Sequence, residues 1–254
     1  MNSIFRRKTL IAAIVIISFG TSAMVANATH SWGGYHWART TNAFTLKLGD
    51  NVGPTWDTYL TTTSSDWSVF TVLDTGIVPG QGGRNCTATT GRVEVCNKKY
   101  GNNGWLGIAS IWLSGTHIAR GTVKLNDTYF ATGKYNTTPW RNLVMCQEVG
   151  HTLGLDHQDE VFDNTNKDTC MDYTNDPSTN QHPNDHDYEE LAKIYSHLDT
   201  TTTVGATTAS KANSTDDPSS WGKEIRKDAR GRSSLFERDL GNGEKLVTHV
   251  IWAS

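Results

Sequence analysis

The sequence predicts an α+β fold, because segments with strand periodicity and segments with helix periodicity both occur along the chain. Alternation of apolar and polar residues predicts a strand over residues 43–48 and a second over 68–73. Residues 106–113 are apolar enough for a strand that is covered on both faces. Large side chains at helical spacing predict a helix after Pro54, and a capping threonine followed by proline predicts another over residues 138–154.

Length and charge limit the classes of function. A chain of 254 residues fits one domain with appendages and can bury a substantial core. The formal net charge is −3, 19% of the residues are charged, and no long run of one sign occurs. Nucleic-acid binding therefore has no electrostatic support.

The first 28 residues have the pattern of a signal peptide. A basic start at residues 6–8 precedes a short apolar run at 10–19, and residues 26–28 form an A-x-A cleavage site. We expect a mature chain that begins near Thr29, is secreted, and contains no membrane span, because no later apolar stretch approaches the ~20 residues that one requires.

The remaining segments suggest how the chain is organised. Residues 79–104 are rich in glycine and predict an irregular region or a hairpin with a long tip. Residues 118–126 alternate but carry a lysine, which predicts a strand at the edge of the sheet. A helix is predicted over residues 185–198, where apolar side chains share one face.

The C-terminal part is predicted to be separate from the main domain. Residues 200–220 are dominated by Thr, Ser, Ala and Asp and predict a flexible linker. Residues 221–254 form a predicted β-hairpin appendage, with its turn at Gly241-Asn242-Gly243. Such a short hairpin either docks on the main domain or serves as a small sorting or binding module.

The helix over residues 138–154 carries the residues with the clearest chemistry. Gln147 and His151 are four apart and share one face, and Glu148 lies beside them. Gly154 allows the chain to turn, so that His157 can return to the same point. This geometry suits a single metal ion.

Together these residues resemble the metzincin zinc-protease signature HExxHxxGxxH, with Gln147 in place of the first histidine. Thr169-Cys170-Met171-Asp172-Tyr173 is similar to the Met-turn of that clan. The resemblance implies a metzincin-like domain over residues 29–199, most similar to matrixins. Its expected parts are a twisted mixed β-sheet, an active-site helix, a Met-turn and a C-terminal helix.

The resemblance also implies roles for individual residues. Gln147, His151 and His157 become the expected metal ligands, Glu148 the residue that activates water, and Tyr173 a hydrogen-bond donor to the developing oxyanion.

Met171 would pack beneath the metal as a structural residue of the Met-turn. The implied cofactor is one catalytic Zn²⁺, with structural Ca²⁺ as a further expectation. The implied partner is a peptide or protein substrate that pairs with the edge strand 118–126. We expect the protein to be a monomer.

Gln147 leaves three interpretations open. In the first, its amide oxygen completes a working Gln/His/His zinc site. In the second, the chain is a degenerate protease that serves as a binding protein. In the third, another side chain supplies the missing ligand, and the candidates are His182, His186, His117, Cys146, His30 and His36.

Four cysteines in an exported chain indicate two disulfides, for which three pairings exist. We favour Cys86 with Cys96, which closes a loop rich in glycine and threonine. Cys146 with Cys170 then ties the metal helix to the Met-turn. The alternative for Cys146 is a thiolate ligand, although it points about 100° away from Gln147 around the helix.

The sequence thus predicts a secreted zinc-dependent metalloendopeptidase. The alternative is a catalytically silent relative that binds protein or peptide through the same cleft. If the enzyme is active, one possibility is that it is exported without an inhibitory segment. The other is that its own termini, residues 29–40 or the C-terminal hairpin, cover its cleft.

Overall fold

The computed structural model describes residues 30–205 and 215–253. The predicted signal peptide over residues 1–28 and residues 206–214 of the predicted linker therefore lie outside the described residues. Within these ranges the chain forms four helices and a nine-stranded mixed sheet, which confirms an α+β architecture with a mostly β core. None of the helices in these two ranges has the length and apolar character needed to cross a membrane.

The elements follow the chain in a simple order. The strands are β1 His36–Trp37, β2 Phe44–Asn51, β3 Leu73–Pro79, β4 Val93–Lys98, β5 Trp105–Ser114, β6 His117–Asn126, β7 Lys223–Lys227, β8 Ser233–Gly241 and β9 Glu244–Trp252. The helices are α1 Asp57–Trp67, α2 Asp127–Phe130, α3 Thr138–Thr152 and α4 Asp185–Ile194.

The sheet has a parallel half and an antiparallel half. Its order is β3-β2-β4-β6-β5-β9-β8-β7, and β1 pairs with the start of β6. Strands β3, β2, β4 and β6 run parallel, whereas β5, β9, β8 and β7 each run antiparallel to their neighbours. Helix α3 packs on β5 and β6, and α1 packs against β3 and α3.

Helix α3 forms where the sequence predicts it. The Thr137 side chain accepts a hydrogen bond from the Trp140 N–H, and proline occupies the first turn. Gly154, just beyond the helix, has φ 103°, and a Cβ there would lie 2.2 Å from the Tyr35 carbonyl oxygen. Only glycine meets both conditions, so the chain can reverse toward His157 while the N-terminal segment passes close by.

Most predicted elements are confirmed, and three need correction. Residues 68–73 do not form the predicted strand, because α1 continues to Trp67 and the chain then turns before β3 begins at Leu73. The glycine-rich region 79–104 contains a regular strand, β4, that lies inside the sheet. Its two apolar residues, Val93 and Val95, flank a buried glutamate and lie beside turn residues that mask the strand pattern.

The predicted edge strand 118–126 is wrong in its position. This segment is β6, which lies in the interior of the sheet between β4 and β5. Its polar side chains are accommodated by neighbouring loops rather than by solvent. Lys124 is buried and pairs with Asp216, and Asn126 donates to the carbonyl oxygens of Gly101 and Trp105. No peptide can pair with a strand that already has two neighbours.

The C-terminal segment docks on the main domain. Strand β9 pairs antiparallel with the whole of β5, from Trp105 opposite Trp252 to Ser114 opposite Glu244. Strands β8 and β7 then extend the same sheet. The hairpin turn at residues 241–243 forms as predicted, and the preceding β7 adds a third strand.

Both predicted disulfides are confirmed. Cys86 pairs with Cys96, and Cys146 pairs with Cys170. The second bond joins α3 to the loop that carries Met171. Contact there is so close that a Cβ added at Gly150 would lie 2.7 Å from the Met171 sulfur.

Removal of the Cys146–Cys170 bond is expected to destabilise the fold. The bond spans 24 residues, and a loop of that size contributes about 3 kcal/mol through the entropy of the unfolded chain. We expect the Cys146→Ala/Cys170→Ala variant to lose stability of that order in urea unfolding monitored by circular dichroism. A loss below about 1 kcal/mol would show that the bond is not a major constraint.

Candidate metal centre

His151 and His157 meet although the chain turns between them. His151 lies in the last turn of α3, and His157 follows the reversal at Gly154. Their Nε2 atoms are 3.0 Å apart, and both side chains are buried.

The Nδ1 atoms of the two rings each contact an oxygen atom. His151 Nδ1 donates to the Leu155 carbonyl oxygen at 2.9 Å, and His157 Nδ1 lies 2.9 Å from a carboxylate oxygen of Glu160. In the neutral rings both Nε2 atoms are therefore acceptors that face one another. Two acceptors repel at that distance unless a cation lies between them, and a second nitrogen bonded to oxygen is typical of metal-binding histidines.

A third histidine joins the pair from the C-terminal hairpin. His249 lies on β9 opposite Ala109 of β5, and one ring nitrogen from each of His151, His157 and His249 lies within 4.8 Å of the others. Val247, His249 and Ile251 share one face of β9, as strand alternation requires. That face packs toward the core, so the histidine is directed at the end of α3.

Glu148 provides a carboxylate beside this cluster. Its Oε2 lies 3.8 Å from His249 Nδ1, and its side chain is fully buried. Neither carboxylate oxygen nor His249 Nδ1 forms a hydrogen bond of standard geometry with another described residue, although the Ala109 backbone N–H interacts with the Glu148 carboxylate. Buried polar atoms are rarely left unpaired, so these atoms point to an ion or a water in the functional protein.

Gln147 lies in the same region, but its side chain links two parts of the chain instead of pointing a ring nitrogen at the histidine cluster. Its Nε2 donates to the Cys170 carbonyl oxygen at 2.8 Å, which links α3 to the Met-turn loop. Its Oε1 is buried and has no hydrogen-bond partner within the described ranges. The predicted ligand role of Gln147 stays a prediction, and the three histidines form a ligand set without it.

Tyr173 also reaches the site. Its hydroxyl oxygen lies 2.9 Å from His249 Nε2, and its ring packs 4.3 Å from that of His157. Met171 is fully buried beneath α3. The predicted catalytic role of Tyr173 and the supporting role of Met171 stay predictions, with both residues placed where those roles require.

Burial controls the protonation of the site. It lowers the pKa of His151 and of His249 well below the usual range, and the neighbouring imidazoles lower both values further. The neutral imidazole is the form that binds metal. Burial also raises the pKa of Glu148 and of Tyr173 well above their usual values.

Charged residues from β7 support the loop that carries His157. Arg226 donates two hydrogen bonds of 2.6 Å to the Asp156 carboxylate, and it also pairs with Glu160 at 2.9 Å. Glu160 in turn holds His157 Nδ1. The C-terminal strands thus supply His249 and also fix the orientation of His157.

The N-terminal segment covers the cluster from the outside. The Trp32 ring stacks on His151 with ring centroids 4.9 Å apart and lies 6.0 Å from the ring of His249. Beyond Trp32 lies a surface pocket of about 250 Å³, whose lining includes Tyr35, Ile225 and Val247. None of the site residues is more than 7% exposed, so the structure shows a closed centre.

The residues present fit a zinc ion. Three neutral imidazoles are a known ligand set for Zn²⁺, and the buried carboxylate of Glu148 lies beside them. Structural Ca²⁺ requires several oxygen ligands and stays a prediction.

The other candidate ligands are engaged elsewhere. Cys146 is in a disulfide, and His182 pairs with Asp66 at the surface. His30 stacks on His186, with ring centroids 4.7 Å apart. His36 and His117 belong to a different cluster, discussed below.

His249 is the functional residue that sequence reasoning missed. The sequence predicts a β-hairpin over residues 221–254, but the predicted ligand set does not include its histidine. A signal was present, because a histidine that shares a strand face with Val247 and Ile251 is directed at the core.

Comparison with known proteins adds little to this geometry. No protein-family model matches the chain, and no curated protein matches it. Among solved structures, myroilysin is similar at 12% sequence identity and a TM-score of 0.37, over 63% of this chain and 96% of that chain. The functional conclusions below therefore depend on the site itself.

Proposed function

We propose that this protein is a secreted zinc-dependent peptidase of metzincin type, with His151, His157 and His249 as the metal ligands. One observation carries the proposal: three imidazoles converge beside the buried carboxylate of Glu148. The match of Glu148, His151, Gly154 and His157 to the metzincin signature supports it. The two disulfides support an oxidising location outside the cell.

In this proposal the chain's own residues handle the protons. Zinc at such a centre lowers the pKa of a bound water to about 7. Glu148 would accept the proton of the attacking water and pass it to the leaving amine. Tyr173 exchanges its contact with His249 for a hydrogen bond to the developing oxyanion.

A substrate cannot bind by pairing with the predicted edge strand, because β6 lies inside the sheet and the free edge of β5 is paired with β9. The substrate must therefore reach the centre by another route. The pocket beside Trp32 offers that path. At about 250 Å³ it is smaller than a typical small-molecule site of about 300 Å³ or more, and it suits a single side chain. A peptide that inserts a side chain there would displace Trp32 from His151.

A second candidate function is a metal-binding protein without catalysis. The observation in its favour is the burial of every site residue, because structural zinc sites are closed whereas catalytic sites keep an open position. Incubation of the zinc-loaded protein with a peptide mixture, followed by mass spectrometry, separates the two. New peptide termini that disappear with a chelator and return with zinc support the peptidase. If neither the natural protein nor the Trp32→Ala variant produces new termini, the peptidase proposal is contradicted.

Substitution of Trp32 is expected to open the centre. Trp32→Ala removes the ring that stacks on His151 and joins the pocket to the metal cluster. We expect zinc to be stripped by a chelator several-fold faster, and hydrolysis to increase. Trp32→Phe keeps an aromatic cover and serves as the control, and equal stripping rates in all three proteins would show that Trp32 does not limit access.

A further inference from the structure

Three histidines and an aspartate meet at a second place that shares no residue with the first centre. His36 lies on β1, and His117 is the first residue of β6. His197 and Asp199 follow the end of α4. Three separate parts of the chain therefore converge on one point, and the proposed peptidase mechanism uses none of these four residues.

The distances describe a ligand cluster rather than a set of separate pairs. Asp199 Oδ1 lies 3.2 Å from His117 Nε2, 3.4 Å from His36 Nε2 and 3.6 Å from His197 Nε2. His36 Nε2 and His197 Nε2 are 3.2 Å apart. The ligand atoms of His36, His197 and Asp199 all lie within 4.8 Å of one another. His117 contacts the same carboxylate oxygen from outside that group, so a fourth bond would require a small movement of its ring.

The tautomer of His36 favours a cation at this point. His36 Nδ1 donates to the Gly34 carbonyl oxygen at 2.8 Å, which leaves Nε2 as the ring nitrogen available to a metal ion. That nitrogen faces a carboxylate oxygen and another imidazole nitrogen. The other oxygen of Asp199 accepts from the Arg39 backbone N–H at 3.0 Å, which fixes the orientation of the carboxylate. Such outer hydrogen bonds are characteristic of metal-binding side chains.

The exposure of the four residues suits an ion that enters from solvent. His36 is buried and the Asp199 side chain is 8% exposed, whereas the side chains of His117 and His197 are 34% and 52% exposed. The two exposed rings can move to admit an ion and close over it, without any change in the sheet.

We propose that His36, His117, His197 and Asp199 form a second metal site that holds a divalent ion, with Zn²⁺ preferred. Three imidazoles and one carboxylate fill the four positions of a tetrahedral zinc ion and leave none for water, as in structural zinc sites. The ion holds the N-terminal segment to β6 and to the end of α4. That segment carries Trp32, so the second ion also keeps the cover of the first centre in place.

Zinc stoichiometry in a background that lacks the first site tests the proposal. The full mature chain is loaded with Zn²⁺, dialysed against metal-free buffer, and its metal measured by mass spectrometry. We expect His249→Ala to retain about one zinc per chain and His249→Ala/His197→Asn to retain none. We also expect added zinc to raise the Tm of His249→Ala but not that of the double variant. His182→Asn in the same background is the matched control, because His182 is similarly exposed and lies outside the cluster.

Equal zinc content in His249→Ala and His249→Ala/His197→Asn would overturn the second site. This outcome is independent of the proposed peptidase, since the first site is disabled in both variants. Substitution of Co²⁺ for zinc gives a second measurement, because the visible bands of a four-coordinate cobalt ion should appear in His249→Ala and disappear when His197 is also replaced.

Discussion

Replacement of His249 by alanine is expected to remove one equivalent of zinc from the protein and to abolish hydrolysis. Without this ring only His151 and His157 remain of the three imidazoles, and two histidines do not complete a zinc site. The measurement is zinc per chain after dialysis, together with peptide hydrolysis. His182→Ala is the control, because that histidine pairs with Asp66 at the surface and should leave both values unchanged.

A second substitution guards against simple misfolding of the His249→Ala variant. Gln147 precedes His151 by one turn of α3 on the same face, so Gln147→His offers an imidazole from the helix. We expect the Gln147→His/His249→Ala protein to regain the lost zinc. If His249→Ala held as much zinc per chain as the natural protein, the strand histidine would not be a ligand, and the Gln147 ligand set would be favoured instead.

Replacement of Glu148 by glutamine should separate catalysis from metal binding. The change keeps the shape of the side chain but removes the group that accepts the proton. Loss of a general base lowers the rate by about 10²–10⁴-fold. We expect that loss in peptide hydrolysis with zinc content unchanged, measured in the natural protein and in the more open Trp32→Ala background.

Glu189→Gln is the matched control for this experiment, because Glu189 is an exposed residue of α4 and has no contact with the centre. Full activity in Glu148→Gln would exclude the proposed mechanism. Peptide binding without hydrolysis in the natural protein would favour the catalytically silent relative.

Features that depend on short separations along the chain could be predicted from the sequence. The spacing of Glu148 and His151 on one helical turn, and the reversal at Gly154, bring His151 and His157 together without reference to the sheet. The two disulfides were also predictable, because each closes a local loop.

The position of each strand in the sheet was less predictable. The alternation of apolar and polar residues in β6 correctly predicts a strand, but its lysine predicts a position at the edge of the sheet. The structure places Lys124 in the interior beside Asp216, in a segment that sequence analysis assigned to a linker. A polar side chain in a strand shows that a partner exists, and it does not show whether that partner is solvent or a distant loop.

The sequence by itself determined helix α3, the loop that resembles a Met-turn and two of the three proposed ligands, because those residues are held by local backbone geometry. The tertiary structure decided the third ligand. His249 reaches the centre only because β9 pairs with β5 in the register that sets it opposite Ala109. A slip of one residue would direct Thr248 or Val250 at the metal site instead, and that register depends on packing across the whole sheet.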